Sequence, residues 1–128
     1  GGEVMHALKE SDDGFLSFGE AYFSYVNAGA IKAWKRHKDM VSNLIVPVGS
    51  IKFVIYDDRF GSPSFKSFQE VVLSKENYYR LTIPKMLWLG FQGIDSKPSM
   101  LLNIASIEHN NNEVNRLKVN EINYNWRV

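Results

Sequence analysis

Apolar and polar residues alternate in short, strand-sized runs along most of this chain. Residues 20–26 place Tyr22, Ser24 and Val26 on one face and Ala21, Phe23 and Tyr25 on the other, the period of a half-buried strand. Asn27-Ala28-Gly29 turns the chain into a second strand across 29–38. Residues 41–48 are mostly apolar, and Pro47 among them lacks the amide a ladder needs, which predicts an edge strand or a bulge. Val48-Gly49-Ser50 reads as a hairpin turn into 51–56, where Ile51, Phe53 and Ile55 share a face. Further strands are predicted at 68–73, at 79–83 stopped by Pro84, at 87–92 and at 100–106, with turn formers at 57–63, 74–77 and 95–98 between them. Residues 4–8 read as a short edge strand before a turn at Ser11-Asp12-Asp13-Gly14. Residues 108–115 read as a polar loop, and a tail with Tyr124 and Trp126 follows.

No sustained helical periodicity interrupts this rhythm, and strands spaced at roughly 8–12 residues are the mark of sandwiches and barrels. The predicted fold is all-β, a single domain over 1–128 whose interior mouth holds one small ligand. Length supports this: 128 residues at 45% hydrophobic and 13% aromatic content suffice for one core. Fifteen Lys and Arg against fourteen Asp and Glu leave a net charge of +1, so no bulk field draws in nucleic acid or an anionic membrane, and an anion must be met locally. The absence of cysteine removes disulfides, thiolate nucleophiles and cysteine metal sites, which suits a cytoplasmic protein. No apolar run approaches the roughly 18 residues of a membrane span. The chain opens Gly1-Gly2 without an initiator Met, in keeping with a start that has been cut.

The densest chemistry sits in 29–38, which carries Lys32, Trp34, Lys35, Arg36, His37 and Lys38. On an alternating strand Lys35 and His37 share a face, and Lys32 joins them only if the strand is bulged. Lys35 is a proton-abstracting base if burial or like charges lower its pKa; otherwise it is a cation for an anion or a carbonyl, or a solvated strand lysine. His37 and His109 are candidate site residues because imidazole titrates near neutral pH. Arg59 is a candidate bidentate phosphate ligand, with a salt bridge to Asp57 or Asp58 as the competing use. Trp34, Tyr22, Trp88 and Tyr25 either line a pocket and stack on a sugar or base, or form core. The three histidines, at 6, 37 and 109, show no metal-ligand spacing, so no metal and no cofactor is expected. No Gly-x-Ser-x-Gly elbow or glycine-rich phosphate loop is present.

Six motifs in one order sharpen this reading. They are Gly29-x-Ile31-Lys32-Ala33-Trp34-x-x-His37-Lys38, Val48-Gly49-x-Ile51-Lys52 running into Tyr56-Asp57-Asp58-Arg59, Ser62-Pro63-x-Phe65, Leu73-Ser74-x-Glu76-Asn77, Ile83-Pro84 with Gly90-Phe91, and Tyr124-x-Trp126. The set resembles the sugar-nucleotide 3,5-epimerase branch of the cupins, typified by dTDP-4-dehydrorhamnose 3,5-epimerase. The resemblance implies a cytoplasmic jelly-roll barrel, a homodimer, acting without metal on a nucleotide-linked 4-keto sugar in the making of cell-surface polysaccharide. It also implies a proton shift beside a ketone, by a histidine base with an acidic partner and a tyrosine acid. Here Lys35 occupies the base position, His109 the tyrosine position and Leu89 that of a second pocket histidine. Lys32 falls at the family's sugar-nucleotide cation position, and Glu121 is the nearest candidate for the acidic partner. Two functions stay open: an epimerase or ketoisomerase, and a catalytically silent cupin that binds a nucleotide sugar or a pathway protein.

Overall fold

The computed structural model describes residues 1–126. Its strands are β1 Glu20–Val26, β2 Ile31–His37, β3 Ser42–Val48, β4 Ser50–Tyr56, β5 Phe68–Ser74, β6 Leu81–Ile83, β7 Trp88–Gly93, β8 Ser99–Ala105 and β9 Val114–Arg116. They form two antiparallel sheets, one ordered β1-β8-β3-β6 and the other β5-β4-β7-β2-β9. This is the all-β double-sheet fold that the alternation predicts.

Two local predictions change, at 48–50 and at 4–8, and the alternatives at Pro47 resolve to the bulge. Residues 48–50 do not form a hairpin, because β3 and β4 lie in different sheets; Gly49 carries the chain across. At Gly49 φ is +85°, and a Cβ would fall 2.2 Å from the Ser99 hydroxyl, so only glycine fits. Pro47 sits at a bulge, with β3 slipping register against β8 between Ile45 and Val48, but β3 is an interior strand. Residues 4–8 pair with no strand. That segment is tied down by polar contacts: the Tyr78 hydroxyl donates to the His6 carbonyl at 2.7 Å and Arg80 holds Asp12 at 2.9 Å.

The period-2 pattern of β4 explains the two apolar clusters. Ile51 and Phe53 face inward and join Val26, Leu44, Val46, Leu73, Ile83 and Leu101 between the sheets. Val54 faces outward and packs with Trp34, Trp88, Ile122 and Trp126. The tail closes this second cluster over the five-stranded sheet, and Gly90 makes room for it, since a Cβ there would lie 2.8 Å from the Trp126 ring.

β2 carries one extra residue. Its register against β7 runs Lys32 to Phe91 and Ala33 to Gly90, then resumes with Lys35 opposite Leu89. A bulge of this kind puts two successive side chains on one face. Ala33 and Trp34 both enter the outer cluster, and Lys32 and Lys35 both turn inward. Trp34 locks the arrangement: its amide and carbonyl pair with Leu117 at 3.0 and 3.1 Å, its indole N–H donates to the Val119 carbonyl at 3.2 Å, and it is 1% exposed.

Replacing so buried an aromatic leaves a large void. Trp34→Ala is expected to cost about 3–5 kcal/mol, read as a lower urea midpoint at unchanged slope.

Candidate functional site

Between the sheets, resting on the core, lies a cavity of about 460 Å³. Its floor is apolar, formed by Leu44, Ile83, Leu101 and Phe91, and its charged wall comes from β2 and β9. Lys32, Lys35 and His37 line it from β2, Arg116 from β9, Glu20 and Tyr22 from β1, and His109 from the loop after β8. Lys35 and His109, far apart in sequence, thus meet at one cavity.

Lys35 pairs across the ladder with Arg116, and the bulge brings Lys32 to the same face. Burial in the cavity wall, then the charges of Arg116 and Lys32, lower the Lys35 pKa from its usual value. The side chain counts as exposed by area because it faces the open cavity, while the surrounding protein still strips part of its hydration. Among the described residues no carboxylate lies within ion-pair distance of Lys32, Lys35 or Arg116.

His37 follows on the same face of β2. Its Nδ1 lies 2.5 Å from Oε1 of Glu113, a buried residue at the end of a 3-10 turn that ends at β9. The other carboxylate oxygen accepts the amides of Asp39 at 3.1 Å and Met40 at 3.2 Å. Burial pushes the Glu113 carboxyl up, but the hydrogen bonds from His37 and the two amides outweigh it and hold the group below its usual range. An ionised Glu113 fixes the proton of His37 on Nδ1. The remaining nitrogen, Nε2, has no hydrogen-bond partner among the described residues and can accept a proton.

His109 is held more loosely. Its amide donates to Glu20 at 2.8 Å, and its Nε2 lies 2.9 Å from Asn111 Oδ1. Tyr22 accepts a hydrogen bond from Asn103 at 3.0 Å.

The fold redirects several of the residues singled out in the sequence. Trp34 borders the cavity, but its indole lies in the outer cluster with its N–H engaged, so it cannot stack on a ligand; Trp88 is core likewise. Arg59 is taken by its competitor: Nε and Nη2 grip the two oxygens of Asp57 at 2.9 Å each, on a loop that does not line the cavity. Arg36 points outward, stacked 4.7 Å over Trp88 and bonded to Asp58 at 3.1 Å. The cation beside Lys35 is therefore Arg116. Glu121 is exposed and accepts the Lys118 amide at 2.5 Å, leaving Glu113 as the acidic partner at the site. Arg116 escapes sequence reading because a three-residue strand is too short to show a period, and Glu113 because it sits in a short 3-10 turn within a polar loop.

No three His, Asp or Glu side chains come together in a group able to hold a metal among the described residues. No helix among them is long and apolar enough to cross a membrane.

These features define a cupin-type double-sheet barrel with a ligand-sized cavity, lined by cations and one carboxylate-held imidazole. A family model described as dTDP-4-dehydrorhamnose 3,5-epimerase matches residues 15–128, and the chain belongs to that family. It is similar to the crystal structure of a dTDP sugar isomerase from Desulfovibrio desulfuricans G20, at TM-score 0.93 and 38% identity over 98% of this chain and 82% of that one. It is also similar to the dTDP-4-dehydrorhamnose 3,5-epimerase of Bacillus anthracis, solved with TDP and PPi bound, at TM-score 0.78 and 26% identity over 88% and 67% of the two chains. Among curated proteins, a probable low-salt glycan biosynthesis epimerase, Agl13 of Haloferax volcanii, is 34% identical over 65% of this chain and 54% of its own length. The chain thus spans about half of that relative. The spore coat polysaccharide biosynthesis protein SpsL of Bacillus subtilis is 24% identical over 100% of this chain and 96% of its own.

Asp57 gives a test of the neighbouring loop. The Arg59 guanidinium, against the opposing effect of burial and with help from the hydroxyls of Ser62 and Ser64, holds its carboxyl far below the usual range. A depressed native pKa stabilises the fold above the unfolded value of about 3.9 and loses that contribution as pH falls. Asp57→Asn is therefore expected to melt lower than wild type at pH 7, with the gap narrowing towards pH 3 in thermal scans.

Proposed function

We propose that this protein shifts a proton beside the ketone of a nucleotide-linked 4-keto sugar, as an epimerase or ketoisomerase of glycan biosynthesis. The observation that carries the reading is the meeting of Lys35, the His37–Glu113 pair and His109 at one cavity. Moving a proton on carbon needs a base, a donor and positive charge near the oxygen that becomes anionic. His37 is the base, oriented by Glu113. Lys32 and Arg116 supply the charge for that oxygen and for the ligand's diphosphate, with the Lys35 amine beside them. His109 is the acid that returns the proton. The known relatives support the substrate class, since the Bacillus anthracis enzyme was solved with TDP bound.

The reaction is tested in deuterated water with dTDP- and UDP-linked 4-keto sugars. The expected outcome is deuterium at carbon beside the ketone, detected by NMR. His37→Asn is expected to slow it by about 10²–10⁴-fold, the usual scale for a positioned acid or base. Binding without exchange in wild type would instead mark a silent nucleotide-sugar binder.

A homodimer and a cytoplasmic location belong to the same proposal. The edge strand β1 exposes Phe23 and Tyr25, and nearby Phe18 is 66% exposed, an apolar surface fit for a second copy. Sedimentation of a Phe23→Glu, Tyr25→Glu variant is expected to give monomers where wild type gives dimers.

A further inference from the structure

The Lys35 amine is unusual even within this site. Two other cations already stand beside it: Lys32 through the bulge and Arg116 across the ladder. A third ammonium adds little hold on an anion and carries the repulsion of both neighbours. Among the described residues no carboxylate within ion-pair distance offsets that repulsion. Partial burial and cationic neighbours are the conditions under which a lysine becomes a neutral nucleophile towards carbonyl compounds, and the direction of the Lys35 shift agrees. On the same face, two residues along, stands an imidazole whose Nε2, unbonded among the described residues, can take a proton, and the cavity of about 460 Å³ has room for a sugar ring.

We propose that Lys35 is a Schiff-base lysine, whose Nζ condenses with the ketone of the bound sugar before the proton moves. The inference rests on the keto-sugar reading above and goes beyond it by making the intermediate covalent. The Nζ lone pair adds to the carbonyl carbon, and the resulting carbinolamine takes up one proton from solvent and loses one water to give an iminium, the proton being returned when the iminium is hydrolysed. His37 Nε2 takes the proton from the adjacent carbon; the C–H electron pair becomes the carbon–carbon double bond of an enamine, and the iminium nitrogen is neutralised. A proton delivered to that carbon from the His109 side restores the iminium. One water then hydrolyses it to ketone and free amine, so the water lost is regained and no oxidant or reductant is consumed. Exchange with solvent resets His37 and His109.

Reductive trapping decides the matter. The intact chain is incubated with dTDP- and UDP-linked 4-keto sugars and sodium borohydride, then analysed by intact mass and peptide mapping, with deuterium exchange followed in parallel. The expected result is a covalent sugar-nucleotide adduct on Lys35. Lys35→Arg, which keeps a long basic side chain but cannot condense, is expected to give no adduct and to lose exchange by at least about 100-fold. Exchange by wild type without an adduct, an adduct confined to other lysines, or full exchange by Lys35→Arg overturns the covalent step and leaves the proton-shift reading standing. Neither adduct nor exchange in wild type overturns both. Trapping on wild type needs no variant to fold.

Discussion

One extra residue in β2 sets the geometry on which the site depends. Without the bulge, strict alternation would send Lys32 outward with Trp34. With it, Trp34 enters the outer cluster beside Ala33, and Lys32 turns inward with Lys35. The large apolar side chain provides the stability that holds the two cations in place, since burying an indole outweighs the repulsion between partly solvated ammonium groups. The tail belongs to this device, because Leu117, Val119 and Trp126 supply Trp34 with its ladder partner, its hydrogen-bond acceptor and much of its packing.

Charge is handled in two ways in this small barrel. Arg36 and Arg59 are neutralised by Asp58 and Asp57 and are spent on loops and on the outer face. Lys32, Lys35 and Arg116 have no carboxylate at ion-pair distance among the described residues. The near-zero net charge therefore conceals a sharp internal separation. The carboxylates at the site are engaged otherwise: Glu20 accepts the His109 amide, and Glu113 is committed to His37 and two amides and so orients an imidazole instead of cancelling a lysine.

The strands were legible because nearly every one has a buried face and an alternating pattern to show it. Pro47 marked its bulge, and the alternation of 29–38 placed Lys35 with His37. The family motifs placed Lys35 and His109 in one frame, and the fold brings them to one cavity. Other features could not be read. Which sheet a strand joins is decided by contacts distant in sequence, so Gly49 looked like a hairpin turn when it carries the chain between sheets. Glu113 looked solvated amid Asn110, Asn111 and Asn112, because its burial depends on the chain folding back over β2. For Arg59 the sequence offered both the phosphate and the neighbouring aspartates, and only the loop's folded geometry decides for Asp57.

The cavity floor carries a further consequence. Leu44, Ile83 and Leu101 belong to the central core and also form the bottom of the cavity. The same methyl groups thus set both the melting temperature and the depth at which a ligand comes to rest. Close packing couples such shared atoms tightly, so no change there can be assigned to stability or to recognition alone. Evolution of a new ligand preference in this barrel must proceed through its fold, one methylene at a time, while the charged wall can change with little effect on folding.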